Sequence, residues 1–210
     1  MRRISGFTLV EVLVVVAIMA IVAGAIYGVF QSSNRTYVVQ DQVVAMQQDA
    51  RYGLKYVAEQ AMMAGYDPRG MGQNMFGFQL NATWDSQSQT CDATNIAFTL
   101  DDDQDATVTS NDTERVAFRL QGGELQRFRN LNGPNPAGWD TVIAGVDTVN
   151  SAFRYIYSDD SADNAPTAIK LDKIRSVQIT LVMNPPHLYG QTLHAKSYTT
   201  QVKCRNMAAR

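Results

Sequence analysis

The chain has 210 residues and a formal net charge of −2 at pH 7. Lysine and arginine are dispersed along it, which gives little support for a nucleic-acid-binding surface. The serine nucleophile elbow, the phosphate-binding P-loop and the HExxH zinc motif are all absent, so the sequence favours a non-catalytic protein.

The first predicted element is the apolar segment "GFTLVEVLVVVAIMAIVAGAIYGVF" at residues 6–30. No residue from 12 to 29 is charged, and about 20 apolar residues are enough to span a membrane. Arg2 and Arg3 precede the segment, which predicts a cytoplasmic start and a head outside the cytoplasm. A cleaved secretory signal has a shorter apolar core of about 7–15 residues. A plain anchor fits the length, but neither alternative explains Glu11, whose charge is costly inside a membrane.

The start of this segment resembles the class III leader of type IV pilins and pseudopilins. In that pattern a short basic leader ends in glycine, and Phe-Thr-Leu-x-Glu and an apolar helix follow, as "GFTLVE" does at residues 6–11. The resemblance implies that a prepilin peptidase removes the leader, residues 1–6, by cutting between Gly6 and Phe7. It also implies methylation of the new Phe7 amine. Residues 7–30 would remain as a transmembrane and assembly helix.

The same resemblance implies a role for Glu11. A free amine at Phe7 is a cation, and a charge among packed apolar helices is tolerable only when it is paired. Glu11 lies four residues further on and could pair within its own chain. In the family it reaches the amine of a neighbouring subunit and sets the axial register. The alternative is a carboxylate that extends to the cytoplasmic interface.

Two glycines divide the apolar segment. Gly24 and Gly28 have the GxxxG spacing that lets membrane helices approach closely, so we predict that they pack against other helices. The alternative is that glycine is simply frequent in membrane spans.

Beyond the membrane, residues 31–65 are predicted to continue the same helix. Apolar residues recur at steps of three and four from Val39 to Ala64, which is typical of an amphipathic helix on a core. Gly65 then provides a C-terminal stop. Together the two segments predict one continuous helix from about Phe7 to Ala64.

Residues 66–210 are predicted to form one β-rich head. Gly122-Gly123 indicates a tight hairpin between two of its strands, and residues 66–94 have little periodicity. The predicted strands are residues 95–101, 115–121, 124–130, 152–158, 174–183 and 195–203. The predicted fold class is therefore α+β, with a long N-terminal helix packed on an antiparallel sheet, as the pilin resemblance also implies.

The stretch "LDDDQDATVTSND" is the strongest candidate for a metal site. Asp101, Asp103 and Asp105 alternate as the first ligands of a calcium loop do, but Ala106 replaces the glycine and Asp112 the final glutamate. An acidic turn without an ion is therefore the preferred interpretation, with calcium as its alternative. No other metal or cofactor is predicted, because His187 and His194 have poor ligand spacing.

The chain has two cysteines, Cys91 and Cys204, both in the part that is predicted to be exported. In an oxidising compartment such a pair usually forms a disulfide if the two thiols can meet. We therefore predict a Cys91–Cys204 disulfide. The alternative is two free, buried thiols.

A narrower resemblance runs through the head. "RYGLKYVAEQAMMAGYDPRG" at residues 51–70, "FRYIYSDD" at residues 153–160 and the closing "VKCRN" are similar to PilW-type minor pilins. This resemblance implies a subunit that helps to start or cap a type IV pilus for twitching motility. Its implied partners are the prepilin peptidase, other minor pilins, the major pilin and the inner-membrane assembly platform. The implied location is the inner membrane with a periplasmic head, and the pilus tip or fibre at the cell surface.

Two alternatives stay open. A GspJ-like pseudopilin of a type II secretion system has a similar plan. A membrane-anchored receptor or enzyme that shares only the leader would need a site in residues 66–210, and the sequence offers no constellation with suitable spacing.

Overall fold

The computed structural model describes residues 8–70, 75–84, 87–108, 113–129, 138–185 and 194–209. One helix, α1 (Leu9–Met62), accounts for 54 of them and is about 80 Å long at 1.5 Å per residue. It ends two residues before the predicted end at Ala64. Met63 caps it, and the N–H of Tyr66 donates to the carbonyl of Met63 at 2.9 Å, so the chain turns away from the helix axis.

The described part of the head contains short and long strands and two 3₁₀ helices. The strands are β1 (Gly77–Phe78), β2 (Ala82–Trp84), β3 (Gln87–Gln89), β4 (Asn95–Thr99), β5 (Arg115–Gln121), β6 (Glu124–Arg129), β7 (Gly138–Ala144), β8 (Ala152–Tyr157), β9 (Ala162–Asp163), β10 (Ile174–Met183) and β11 (Lys196–Lys203). The 3₁₀ helices are Ala168–Lys173 and Asn206–Ala209. All six predicted strands are confirmed within two residues at each end. The Gly122-Gly123 hairpin is also confirmed, because Gln121 pairs with Glu124.

The strands form two larger antiparallel sheets. One has the order β1-β4-β5-β6-β7 and the other the order β11-β10-β8-β9, while β2 and β3 form a separate hairpin. An isolated bridge between Val146 and Met183 joins the ends of the two larger sheets. The α+β class with a long helix packed on antiparallel sheet is confirmed, and the strands divide into two larger sheets where the prediction named one. The prediction missed β7, which follows a segment rich in glycine and proline and completes the first sheet.

The helix packs on both larger sheets through one buried stripe. Val57 from α1, Phe118 from the first sheet and Tyr155 from the second have no exposed surface and belong to the same core. Gly53 lets the helix approach β7 closely, because a Cβ there would stand 2.7 Å from Cδ1 of Ile143. The second half of α1 is therefore part of the head.

Candidate functional site

The candidate assembly site begins at the N-terminus of α1. The predicted cleavage and methylation positions, Gly6 and Phe7, lie outside the described residues. Thr8 is the N-cap residue, and its hydroxyl accepts a hydrogen bond from the backbone N–H of Glu11 at 3.3 Å. In return, Oε2 of Glu11 accepts from the backbone N–H of Thr8 at 2.9 Å and from its hydroxyl at 3.0 Å.

These reciprocal bonds form a capping box, which the sequence interpretation missed. Its signal is visible in the printed chain, because Thr8 is followed three residues later by Glu11 at the start of an apolar run. The box satisfies N–H groups that would otherwise lack partners at the first helical turn. Glu11 therefore has an intrachain role that is independent of any neighbouring subunit.

The first half of α1 is exposed along its whole length. Its best 18-residue window has a mean hydropathy of 2.9, and none of that window is buried in the protein. By length and composition it is the one described helix that could cross a membrane. Where a Cβ would stand on Gly24 or Gly28, no described atom lies within 4 Å. Packing of these glycines against other helices stays a prediction.

Both cysteines are buried and free, so the predicted Cys91–Cys204 disulfide is not formed in the structure. The Cys91 thiol lies against β4, where it donates to the carbonyl of Ala97 at 3.2 Å. Cys204 instead follows β11 of the other sheet, and its N–H donates to the carbonyl of Arg175. Burial raises the pKa of Cys91 to about 11 and that of Cys204 to about 12. Neither thiol has a depressed pKa that would indicate a reactive nucleophile.

Four carboxylates converge in the connection between β4 and β5. Oxygen atoms of Asp101, Asp103, Asp105 and Glu114 all lie within 4.8 Å of one another. Asp101 and Glu114 are buried, and the other two are exposed. Reduced solvation and the negative charges of Glu114 and Asp105 raise the pKa of Asp103. Hydrogen bonds from Thr107 lower the pKa of Asp105.

This cluster contains the three predicted aspartates and adds a residue that the sequence interpretation missed. Glu114 lies thirteen positions after Asp101 in the chain, and it is brought close because the N–H of Leu100 donates to its carbonyl at 3.1 Å. The predicted final ligand, Asp112, lies outside the described residues. Oxygen ligands of this kind suit Ca²⁺. An acidic turn and a bound ion both fit the arrangement, and the choice between them stays a prediction.

The arginines near the Gly122-Gly123 hairpin pack on aromatic rings of the head. The guanidinium carbon of Arg119 lies 4.2 Å from the centre of the Trp139 ring. Nη1 of Arg127 donates to the Tyr56 hydroxyl at 2.7 Å. These contacts give the two arginines structural roles within the head.

Comparison with known families adds two matches. Residues 1–27 match the model of the prokaryotic N-terminal methylation motif, which covers the leader and most of the apolar segment. Residues 40–204 match the model of prepilin peptidase-dependent protein B, which covers the last part of α1 and most of the head. No curated protein and no solved structure matches the chain.

Proposed function

The chain belongs to the prepilin peptidase-dependent protein B family, and we propose that it is a PilW-type minor pilin. In this proposal it is a non-catalytic subunit that helps to start or cap a type IV pilus at the inner membrane. One observation carries the proposal. A prepilin leader precedes a single helix whose first half is apolar and exposed and whose second half is part of the core of the head. Such a helix connects a membrane-spanning segment directly to a domain outside the membrane.

Assembly would begin with cleavage between Gly6 and Phe7, which frees the amine of Phe7, and this amine would then be methylated. In the chain Phe7 directly precedes Thr8 of the capping box. Glu11 would then make two interactions. It caps the first turn of its own helix, and it pairs with the amine of a neighbouring subunit. Both described bonds from Thr8 reach one oxygen, Oε2. A carboxylate can accept several hydrogen bonds, so pairing with an amine is compatible with the capping box.

The proposed partners are the prepilin peptidase, other minor pilins, the major pilin and the inner-membrane platform. Arg2 and Arg3 favour a cytoplasmic start of the chain and therefore a periplasmic head. From that location the head would enter the tip or the fibre of a pilus at the cell surface.

The preference for a pilus subunit over a GspJ-like pseudopilin rests on the resemblance of the sequence at the end of α1. The "AGY" sequence at residues 64–66 follows the capped end of the helix, and the carbonyl of Tyr66 accepts a hydrogen bond from the N–H of Asp101 at 2.8 Å. The N–H of Gly65 donates to the carbonyl of Thr99 at 3.0 Å. These residues therefore tie the helix end to β4 and to the connection that follows it.

A deletion strain tests the assignment. We expect it to lose surface pili and twitching motility while type II secretion of exoproteins continues normally. Lost secretion with intact pili would identify the chain as a pseudopilin instead.

A matched pair of variants tests the role of Glu11. Glu11→Gln retains the capping box, because glutamine also occupies this position in such boxes, but it removes the charge. Thr8→Ala removes the cap, at a cost of about 1 kcal/mol, and keeps the charge. We expect Glu11→Gln to reduce co-purification with other minor pilins and Thr8→Ala to leave it largely unchanged. The reverse order would show that Glu11 acts through its helix cap alone.

A further inference from the structure

The two larger sheets differ in what covers their outer faces. On the first sheet, Trp84 of the β2–β3 hairpin packs on Phe128, which packs in turn on Trp139, and these rings belong to an apolar cluster outside the main core. Neither this cluster nor the main core includes an outward side chain of the second sheet. The outer face of the second sheet therefore has no apolar cover among the described residues.

The strand pairing identifies the side chains on this outer face. Arg154 of β8 lies opposite Gln178 of β10, which lies opposite Gln201 of β11. Directly opposed residues share a face of the sheet, and successive residues of a strand alternate between the two faces. At the paired positions of β8, β10 and β11, the charged side chains that point outward are therefore those of Arg154 and Lys203. None of the three strands contains an aspartate or a glutamate, so this face is positively charged.

A groove of about 570 Å³ lies on this face beside Arg154. Gln178 and Thr180 of β10 line it on one side of β8, and Asn164, the residue after β9, lines it on the other. Arg154 is exposed and forms no hydrogen bond or ion pair with a described residue. The amides of Gln178 and Asn164 also form no hydrogen bond with a described residue. Because a guanidinium offers five N–H donors and each amide two, donors from three neighbouring segments converge on the groove.

The positive charge of Arg154 is not compensated within the groove. Asp163 also lines the groove, but it lies opposite the buried Tyr155 in the pairing of β8 and β9. Its carboxylate accepts a hydrogen bond from the Tyr157 hydroxyl at 2.6 Å and lies 3.5 Å from Nζ of Lys170, so Asp163 already has its own partners. A carboxylate from outside the chain therefore fits Arg154, whose planar fork binds such a group through two parallel hydrogen bonds.

The size and polarity of the face indicate a polypeptide as the bearer of that carboxylate. Small-molecule sites are concave and mostly apolar, whereas amides, hydroxyls and a guanidinium line this groove. Three strand spacings and the 8 residues of β11 give the face dimensions of roughly 14 Å by 26 Å. Interfaces between separately folded chains have a polar rim and are enriched in arginine. A folded partner therefore suits the face better than a small anion does.

A second copy of this chain is a poor occupant. Two copies placed face to face would set Arg154 and Lys203 against a face that is also positive, and such like-charge contacts are destabilising. A contact between this face and another surface of the same chain would be heterologous, and it would propagate into a ring or a filament of this chain alone. The role proposed above is instead to start or cap a pilus that other subunits build. The partner is therefore a different polypeptide.

We propose that the outer face of the second sheet is a docking surface for an acidic surface of a different polypeptide in the assembly. An aspartate or glutamate of the partner binds the guanidinium of Arg154. The amides of Gln178 and Asn164 donate to the same carboxylate or to acceptors beside it. The inference rests on the assembly role proposed above and names the surface through which the head takes a partner.

The experiment uses the full chain in its native membrane, with photoreactive benzoylphenylalanine in place of Thr199, which is exposed on the same face. After irradiation, mass spectrometry maps the cross-linked peptide. Arg154→Glu reverses the charge in the groove at an exposed position, so the melting temperature of the purified protein should not change. Arg205→Glu is the matched control, because Arg205 is also exposed and lines a separate cavity with Met63 and Tyr66.

We expect a cross-link to a peptide of a different polypeptide that contains an aspartate or a glutamate. Arg154→Glu should lower its yield at least tenfold, and Arg205→Glu should leave it unchanged. Replacing the mapped acidic residue of the partner by arginine should restore the yield in the Arg154→Glu background. The proposal is overturned by a missing cross-link, by a cross-link to a second copy of this chain, by a yield that Arg154→Glu lowers no more than Arg205→Glu does, or by a charge exchange that restores nothing.

A strain that lacks the chain is scored for surface pili in parallel. If that strain loses its pili but the cross-linking result is negative, the docking surface alone is refuted and the pilus role stands. If the strain keeps its pili, the proposed function is refuted, and the cross-link still decides whether the docking surface exists.

Discussion

Replacing Gly65 by alanine tests how the end of α1 is attached to the head. Gly65 has φ +74°, and a Cβ there would stand 2.6 Å from Sδ of the fully buried Met207. The left-handed conformation costs an alanine roughly 1–2 kcal/mol, and forcing an extra carbon into a packed site typically costs about 1–3 kcal/mol. We therefore expect Gly65→Ala to lower the free energy of unfolding by about 3 kcal/mol, which combines both costs.

Gly70 provides the matched control for this substitution. It has a similar φ of +64°, but nothing lies within 4 Å of the position of its Cβ. Gly70→Ala should therefore cost only the conformational part, roughly 1–2 kcal/mol. Thermal denaturation of the full chain in detergent resolves the difference, because about 1 kcal/mol shifts the melting temperature by roughly 2–4 °C at this size.

A third variant isolates the contact with Met207. In a Met207→Ala background the added carbon has space, so Gly65→Ala should cost no more than Gly70→Ala does. Equal losses from Gly65→Ala and Gly70→Ala in the otherwise unchanged protein would refute this packing of the C-terminal 3₁₀ helix against the helix end.

Three further predictions concern the head. Gly53→Ala should lower the free energy of unfolding of the head by about 1 kcal/mol, because its methyl group overpacks against Ile143. Ile143→Val should remove that cost when both substitutions are combined and unfolding is measured by denaturation. If the effects of the two single substitutions simply add in the double mutant, the close approach of Gly53 and Ile143 is contradicted. The raised pKa of Asp103 means that the folded state holds this proton more tightly, so its contribution to stability falls as pH rises. Asp103→Asn should therefore raise the melting temperature more at pH 7 than at pH 3. If Ca²⁺ raises the melting temperature of the unchanged protein but not that of Asp103→Asn, the cluster binds an ion and is not a bare acidic turn. We expect both buried thiols, Cys91 and Cys204, to resist alkylation at pH 8 in the folded protein and to react once the protein is unfolded. If the unfolded protein is not alkylated and its mass is two hydrogens below that of the reduced chain, the two cysteines form a disulfide.

The sequence predicted the features that depend on local patterns. The stripe from Val39 to Ala64 has helical spacing because one face of α1 lies on the core, and Gly122-Gly123 marks a tight turn by its residue types alone. The Thr8–Glu11 capping box was equally local.

The features that the sequence did not predict depend on contacts between distant segments. β7 follows a segment rich in glycine and proline and is held in the first sheet by its pairing with β6. The division into two sheets depends on which distant strands pair with one another. Glu114 joins the aspartates only because β4 and β5 are paired, which brings together the two ends of their connection. The two cysteines likewise lie beside different sheets, which their spacing in the chain could not indicate.

We propose that this chain is a processed pilin-like subunit that keeps its apolar helix. Intact-mass analysis of the protein extracted from its native membrane tests that claim most directly. We expect a chain that begins at a methylated Phe7 and retains all residues after it. A mature N-terminus near residue 24, beyond most of the apolar segment, would instead identify a secretory signal and contradict the account.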